Sequence, residues 1–267
     1  MIRAETHGEV VHFRLARAPF GRPLFWTGAY LVDGLLLDCG PPATARELVQ
    51  ALDGRRVDSL VLTHHHEDHV GAAPLLGTAR GLVPRIHPEG TALLERGFVQ
   101  EAYRRVVWGR VARFRAEPLG PEVATASLRF RVLSTPGHSV DHVCLFEPER
   151  GWLFTGDLFL AERLRYLRSD EELDRLITSL DVASATGARD VFCAHRGPVR
   201  GGADALRRKS DHLRALRERV LELLARGLPE REVARRAIGR EGPMTWMSLG
   251  RFSVRNFVRS LVRERRH

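Results

Sequence analysis

Lysine is almost missing from this chain: Lys209 is the only one among 42 basic residues, so the other 41 are arginines. Cysteine is scarce too. Cys39, Cys144 and Cys193 make an odd number, none forms a CxxC pair, and each lies in or beside an apolar strand-like run. That pattern excludes a disulfide scaffold and predicts buried free thiols in a reducing compartment. No apolar run approaches the roughly 18 residues of a membrane-crossing helix, so no membrane partner is expected. The N-terminus holds neither a continuous apolar stretch nor a small-residue cleavage site. No secretory signal is read, and the expected location is cytoplasmic. No serine or cysteine stands out as a nucleophile.

What is present is an ordinary globular composition. The 267 residues, 43% hydrophobic and 28% charged, suffice for one large core, or for one core and a small appendage. The net charge of +9 is segregated. Residues 205–267 hold 17 of the 42 Lys+Arg and 7 of the 33 Asp+Glu, a balance of +10. Residues 1–204 hold the other 25 and 26, a balance of −1. A one-signed field of this kind attracts anionic partners.

Two similar passes of strands and helices precede residue 204. The first has strands at 10–15 and 25–32, a two-residue hairpin turn at Asp33-Gly34 and a returning strand at 35–38. A helix over 43–52, a short buried strand at 59–63 and a mostly helical stretch over 91–116 complete it. The second has strands at 127–135, 143–146 and 152–155, a helix over about 170–185 and a last strand at 191–194. Two such halves packed sheet to sheet, with helices outside, predict an α/β four-layer αβ/βα sandwich. The tail reads as helices over 203–224 and 230–238, with a third capped by Ser253. In that third helix Val254, Phe257, Val258, Leu261 and Val262 share one face. Arg255, Arg259, Arg263 and Arg266 share the opposite one. The expected division is therefore residues 1–204 and a basic helical extension, 205–267, which packs on the core near the cleft.

The strongest chemical signal is Thr63-His64-His65-His66-Glu67-Asp68-His69. His64 and His66 are two apart at a strand end, so their side chains project to the same side. Neutral imidazole is a good ligand for zinc and similar metals, and Asp68 with His69 can turn toward a second ion. A solvated histidine-rich loop is the competing reading. The buried strand before it and the helix expected after it argue against that. Three more strand ends carry a ligand-type residue beside glycine or a turn: His138, Asp157 and His195. Each alone is weak. Their order after HHHEDH is specific.

In that order the sequence resembles the metallo-β-lactamase-fold hydrolases, over about residues 9–200, and within them the glyoxalase II-like members. The resemblance implies that His64, His66 and His138 hold one metal and that Asp68, His69 and His195 hold another. Asp157 would bridge the two, and Asp38 would orient the ligand loop without binding metal. Two divalent ions are implied, zinc being expected and iron or manganese the alternatives. A water shared between such cations is a hydroxide nucleophile near neutral pH, and the cations polarise the substrate oxygen. Asp68 would orient that nucleophile and carry its proton to the leaving group. Aspartate at position 68, where many lactamases have cysteine, argues against antibiotic degradation.

Other residues are read more plainly. His142 is expected beside the ligands rather than among them, either supporting them or forming a pocket wall. His65 and Glu67 alternate with the ligands and should point away. His7, His12, His87, His212 and His267 are expected at the surface, while Arg163, Arg165 and Tyr166 are candidates for the cleft. The leading function is hydrolysis of a small ester, thioester or lactone. A nuclease or phosphodiesterase using the basic extension on RNA is the first alternative. A mononuclear-iron persulfide dioxygenase is the second. The arginines at 255, 259, 263 and 266 would serve nucleic acid, an anionic small substrate such as a coenzyme A ester, or solvent.

Overall fold

A computed structural model describes residues 1–264, apart from the side chain of Glu264. Arg266 and His267 lie outside the described residues. The first sheet runs in sequence order: β1 (Ile2–His7), β2 (Val10–Leu15), β3 (Thr27–Val32), β4 (Leu35–Leu37), β5 (Ser59–Val61), β6 (Pro84–Ile86), β7 (Glu117–Pro118). Its pairs are antiparallel as far as β4 and parallel beyond. Asp33 and Gly34, at φ 44° and 78°, make the tight turn that sets Val32 opposite Leu35. The second sheet comprises β8 (Glu122–Ala124), β9 (Arg129–Ser134), β10 (Val143–Glu147), β11 (Trp152–Phe154), β13 (Asp190–Cys193) and β14 (Gly197–Val199). Its spatial order is β14-β13-β11-β10-β9-β8.

Side chains alternate across each strand, which is how two sheets come to serve three apolar layers. Tyr30, Val32, Leu35, Leu37 and Val61 meet Phe130, Val143, Leu145, Phe154 and Phe192 between the sheets. On the outer face of the first sheet, Phe13, Leu31, Leu36 and Leu60 pack on α1 (Ala45–Ala51) and α3 (Ala73–Arg80) through Leu48 and Leu76. Outside the second sheet lie α6 (Leu173–Ser184), α7 (Gly202–Ala225), α8 (Glu230–Ala237) and α10 (Arg255–Glu264). Their Leu180, Leu213, Val233 and Phe257 share one core with Phe146 and Leu153. The result is the four-layer αβ/βα sandwich with a helical C-terminal region. Among the described residues no helix is long and apolar enough to cross a membrane.

The tail helices bury the stripe Val254, Phe257, Val258 and Leu261 in that same core. Ser253 caps α10, its hydroxyl accepting from the Arg255 N–H at 3.0 Å. Differences from the sequence reading lie where periodicity is weak. Strand β1 alternates only weakly and is mostly exposed, so its sequence carries little strand signal. Residues 91–116 contain α4 (Pro88–Arg96) and α5 (Ala102–Trp108), but 109–116 carry no regular element. Gly97 and Gly109, both at positive φ, end the two helices. In the tail α9 (Pro243–Met247), and between tail and core a ribbon of β12 (Leu167–Arg168) with β15 (Phe252–Ser253), are too short to leave a period.

Candidate metal centre

Both sheets deliver loops to one edge of the sandwich. A short loop, residues 62–66, joins β5 to α2 (Glu67–Val70), so HHHEDH is half loop and half helix. That geometry sends His64 and His66 one way and lets Asp68 and His69 reach the next position. The loops after β9, β11 and β13 bring His138, Asp157 and His195. All seven residues converge. His64, His66, His138 and Asp157 present ligand atoms within 4.8 Å of one another, and so do Asp68, His69, Asp157 and His195. Asp157 belongs to both groups. Its Oδ2 lies 3.3 Å from His138 Nε2, and its Oδ1 lies 3.3 Å from His69 Nε2 and 3.2 Å from His195 Nε2.

The donor set fits cations. His66 Nδ1 stands 2.7 Å from His64 Nε2 and 3.0 Å from His138 Nε2, a close convergence of imidazole nitrogens. His69 Nε2 and Asp157 Oδ1 are buried and make no hydrogen bond. Orphaned buried polar atoms are costly unless a ligand takes them. Burial lowers His64 and His66 well below the ordinary histidine range, with charged neighbours adding to it, so both rings are neutral and free to ligate. Burial also opposes charge on His69 and His195, yet the carboxylates led by Asp157 outweigh it and raise both. Asp157 and Asp68 are held down in turn by the imidazoles beside them, against burial. This is a dense, charged knot ready to exchange protons for metal.

The ring nitrogens turned away from the centre are fixed by partners. His69 Nδ1 donates to Asp38 Oδ2 at 2.8 Å, His138 Nδ1 to Glu171 Oε1 at 2.6 Å, and His195 Nδ1 to the Trp26 carbonyl at 2.6 Å. His64 Nδ1 donates to Thr63 Oγ1 at 3.0 Å, and that hydroxyl in turn donates to Asp38. In each case the partner takes Nδ1 and turns Nε2 toward the site. His66 is different. Its Nδ1 faces the centre, and Nη2 of the buried Arg168 lies 2.7 Å from its Nε2. Were Nδ1 to hold a metal, the ring proton would sit on Nε2 and face this guanidinium, which also donates to Asp170 at 2.6 and 2.9 Å.

His142 is completely buried beneath the centre. Its Nδ1 donates to Thr135 Oγ1 at 2.8 Å, and its Nε2 accepts the Asp157 N–H at 3.1 Å. Burial pushes it down to about 3. It therefore positions Asp157 through the backbone rather than walling the cleft. Gly156, at φ 46°, passes so close that a Cβ there would sit 2.8 Å from His142 Nε2.

Four positioning residues escape the motif pattern. Arg104, from α5, pairs with Glu67 and reaches Asp68 Oδ1 at 3.2 Å, so Glu67 is buried in an ion pair rather than pointed to solvent. Asp141 accepts from His65 Nδ1 and Ser139 Oγ, each at 2.8 Å, which ties the first histidine loop to the second. Glu171 and Arg168 complete the set. None follows a long apolar strand or stands beside glycine, and the strand that ends at Arg168 has only two residues, so nothing local marked them. His12 is also buried, stacked on Tyr30 at 4.5 Å, because both faces of β2 are covered.

A cleft of about 490 Å³ opens over Asp68, His138, Asp157 and His195. Its walls are mainly apolar: Phe25, Trp26, Trp108, Met244, Met247 and Phe252 among others. Arg163, Arg165 and Tyr166 do not line it; Arg165 instead donates to the Arg240 carbonyl at 3.3 Å. Arg255 and Arg259 line a separate groove beyond α9. Arg263 is spent on the carbonyls of Ser169, at 2.7 Å, and Glu171, at 3.4 Å.

Sequence comparison is consistent with this geometry. The family model described as "Metallo-beta-lactamase superfamily" matches residues 29–225. A hydroxyacylglutathione hydrolase of Legionella pneumophila is 30% identical over 182 residues, covering 66% of this chain and 63% of the relative. An atrochrysone carboxyl ACP thioesterase of Aspergillus fumigatus is 27% identical over 227 residues, covering 80% of this chain and 65% of the relative. The chain thus spans less than two thirds of the length of either. A beta-lactamase domain protein from Burkholderia ambifaria superposes with a TM-score of 0.71 at 18% identity, covering 98% of this chain and 88% of the other, which shows the fold alone.

Proposed function

The chain belongs to the metallo-beta-lactamase superfamily, and from that premise we propose that it hydrolyses a small thioester at a centre of two divalent cations. His64, His66 and His138 would hold one ion, Asp68, His69 and His195 the other, and Asp157 would serve both. Zinc is the expected metal, with iron or manganese as alternatives. The observation that carries this reading is the carboxylate of Asp157, shared between two ligand groups at the floor of an apolar cleft. Bound there, the cations would supply an acidified water and Lewis-acid polarisation of the substrate carbonyl.

The chain's own residues do the rest. Oδ1 of Asp68 is committed to Arg104, which leaves Oδ2, 3.4 Å from His195 Nε2, to orient the attacking water and take its proton. A carboxylate held so firmly by a guanidinium is a weak proton carrier to a leaving group. A thiolate, of ordinary pKa about 8.5, departs without much help, whereas an alkoxide does not. That asymmetry favours thioesters over esters and lactones. The apolar walls accept the acyl group and exclude bulk water, which strengthens the electrostatics inside. The names of the Legionella and Aspergillus relatives point the same way.

Metal analysis of the purified protein, followed by a panel of thioester, lactone, phosphodiester and RNA substrates, tests the proposal. About two metals per chain and a kcat/KM for thioesters well above the others are expected. Absence of bound transition metal sinks it. A single iron with persulfide oxidation replaces it with a redox function.

A further inference from the structure

On the far side of α9 from the cleft lies a second hollow of about 870 Å³, the size of a nucleotide-binding site. The two share a wall. Thr245 and Trp246 of α9, and Ser253 of β15, face the groove, while Met244 and Met247 of α9, and Phe252 of β15, face the metal cleft. The groove is lined by Arg231, Arg235, Arg240, Arg255 and Arg259, with Glu241 as its one carboxylate among the described residues. Glu241 is saturated from within, accepting from Ser253 Oγ, Thr245 Oγ1 and the Val254 and Arg255 N–H groups. Arg235 and Arg259 have carboxylate partners in Glu232 and Glu230. Among the described residues, no side-chain partner is found for Arg231 or Arg240. Nε of Arg255 is buried without a hydrogen bond. Trp246 stands 77% exposed in this basic setting, an indole face with nothing upon it.

An uncompensated guanidinium cluster recognises phosphate, and an open indole beside it stacks an aromatic base. We propose that this groove holds the phosphate-bearing nucleotide end of the substrate, so that the thioester carried across α9 into the metal cleft is an acyl ester of coenzyme A type. The proposal rests on the thioesterase reading above. It explains why the basic excess of the chain sits in its C-terminal quarter, against the cleft wall. The groove binds the nucleotide end of the carrier, the apolar cleft binds the acyl group, and the cleaved bond lies over Asp157 at the cleft floor. Hydrolysis then adds water across the C–S bond, releasing the carboxylic acid and the carrier thiol.

The test compares two thioesters of one acyl group, on coenzyme A and on N-acetylcysteamine, which lacks phosphates and base. The metal-loaded wild type is set beside the triple variant Arg231→Gln, Arg240→Gln, Arg255→Gln and the single variant Trp246→Ala. Calorimetric titration with adenosine diphosphate gives a readout independent of turnover. One charge-assisted hydrogen bond is worth about a factor of ten. The triple variant should therefore raise KM for the coenzyme A ester at least about tenfold, leave kcat alone, and leave the short ester unaffected. It should also lose nucleotide binding, and Trp246→Ala should weaken it. No nucleotide binding, or binding untouched by the triple variant, overturns the groove assignment. So does binding of RNA, but not adenosine diphosphate, through these arginines, with the steep salt dependence of phosphate contacts. Arginine-dependent nucleotide binding without hydrolysis of either thioester upholds the groove and removes the thioesterase reading instead. Equal hydrolysis of both esters by the wild type leaves that reading standing and overturns this one.

Discussion

Asp38 and His69 are joined by a 2.8 Å hydrogen bond from the ring Nδ1 to a carboxylate oxygen, across two loops of the first sheet. Asp38 also accepts from the Thr63 N–H at 2.8 Å, so one carboxylate fixes both the start of the histidine loop and the orientation of its last ligand. Its backbone, at φ 57°, is left-handed, a conformation that aspartate and asparagine tolerate. Asp38→Asn therefore isolates the charge without straining the turn. Loss of such a partner reduces metal affinity by about 10- to 100-fold. Chelator competition should show that loss for one of two bound ions; unchanged affinity for both would remove Asp38 from the supporting network.

Asp157 and His142 differ in kind although they touch. Asp157 offers its carboxylate to both ligand groups, whereas His142 meets Asp157 only at its backbone N–H. Asp157→Ala should strip metal from both positions and abolish turnover. His142→Ala should retain most of the metal and lose stability instead, because it leaves a fully buried void and an unpaired N–H. Metal content and thermal melting, measured side by side, separate the two. Equal metal loss would place His142 among the ligands.

Arg104 sits buried between Glu67 and Asp68. Removing one partner of a buried ion pair costs about 3–5 kcal/mol, since the remaining charge is stranded. Arg104→Met should show that loss in chemical denaturation, and the double variant Arg104→Met, Glu67→Gln should recover part of it. No recovery would mean that Asp68, not Glu67, carries the interaction.

Arg168 presents a cationic fork to His66, whose other nitrogen faces the metal position. Like charge near a divalent ion weakens its binding. Arg168→Gln should tighten the ion at His64, His66 and His138, on the order of tenfold at low salt. Weaker binding would show that Arg168 supports His66 rather than opposing the ion.

The legible and illegible parts of this molecule divide along physical lines. The ligands were readable because each lies in a segment that closely follows an apolar strand, where the change from apolar run to polar residue is visible, and because they follow one another in a fixed order. The strand pairs around Asp33-Gly34 and Glu147–Gly151 were readable for the same local reason. Arg104, Glu171 and Asp141 act through tertiary contacts to residues 30 or more positions away, so no local pattern announces them. The same holds for α9, whose five residues complete the cleft wall yet span little more than one helical turn. The arginine face of the last helix was visible as a stripe, but only folding shows that Arg263 is tied to the loop carrying Glu171 while Arg255 faces the groove.

Lys209, the lone lysine, is buried on α7 and donates its ammonium to the Leu158 carbonyl at 2.6 Å, one residue from Asp157. Burial lowers its pKa from 10.5 to about 8. In the unfolded chain the ordinary value applies, so between about pH 8 and 10.5 the unfolded state binds more protons than the folded one. Stability therefore rises with pH across that window. Below it, where both states carry the charge, the full cost of burying the ammonium is present, about 3 kcal/mol from the size of the shift. Lys209→Met removes the titrating group and leaves the neighbouring carbonyl without its donor at every pH. Urea denaturation of both proteins at intervals from pH 7 to pH 10.5 should show the wild type gaining on the variant through the window, by up to about that amount. A constant difference between the two would show that the Lys209 amine has the same proton affinity folded and unfolded.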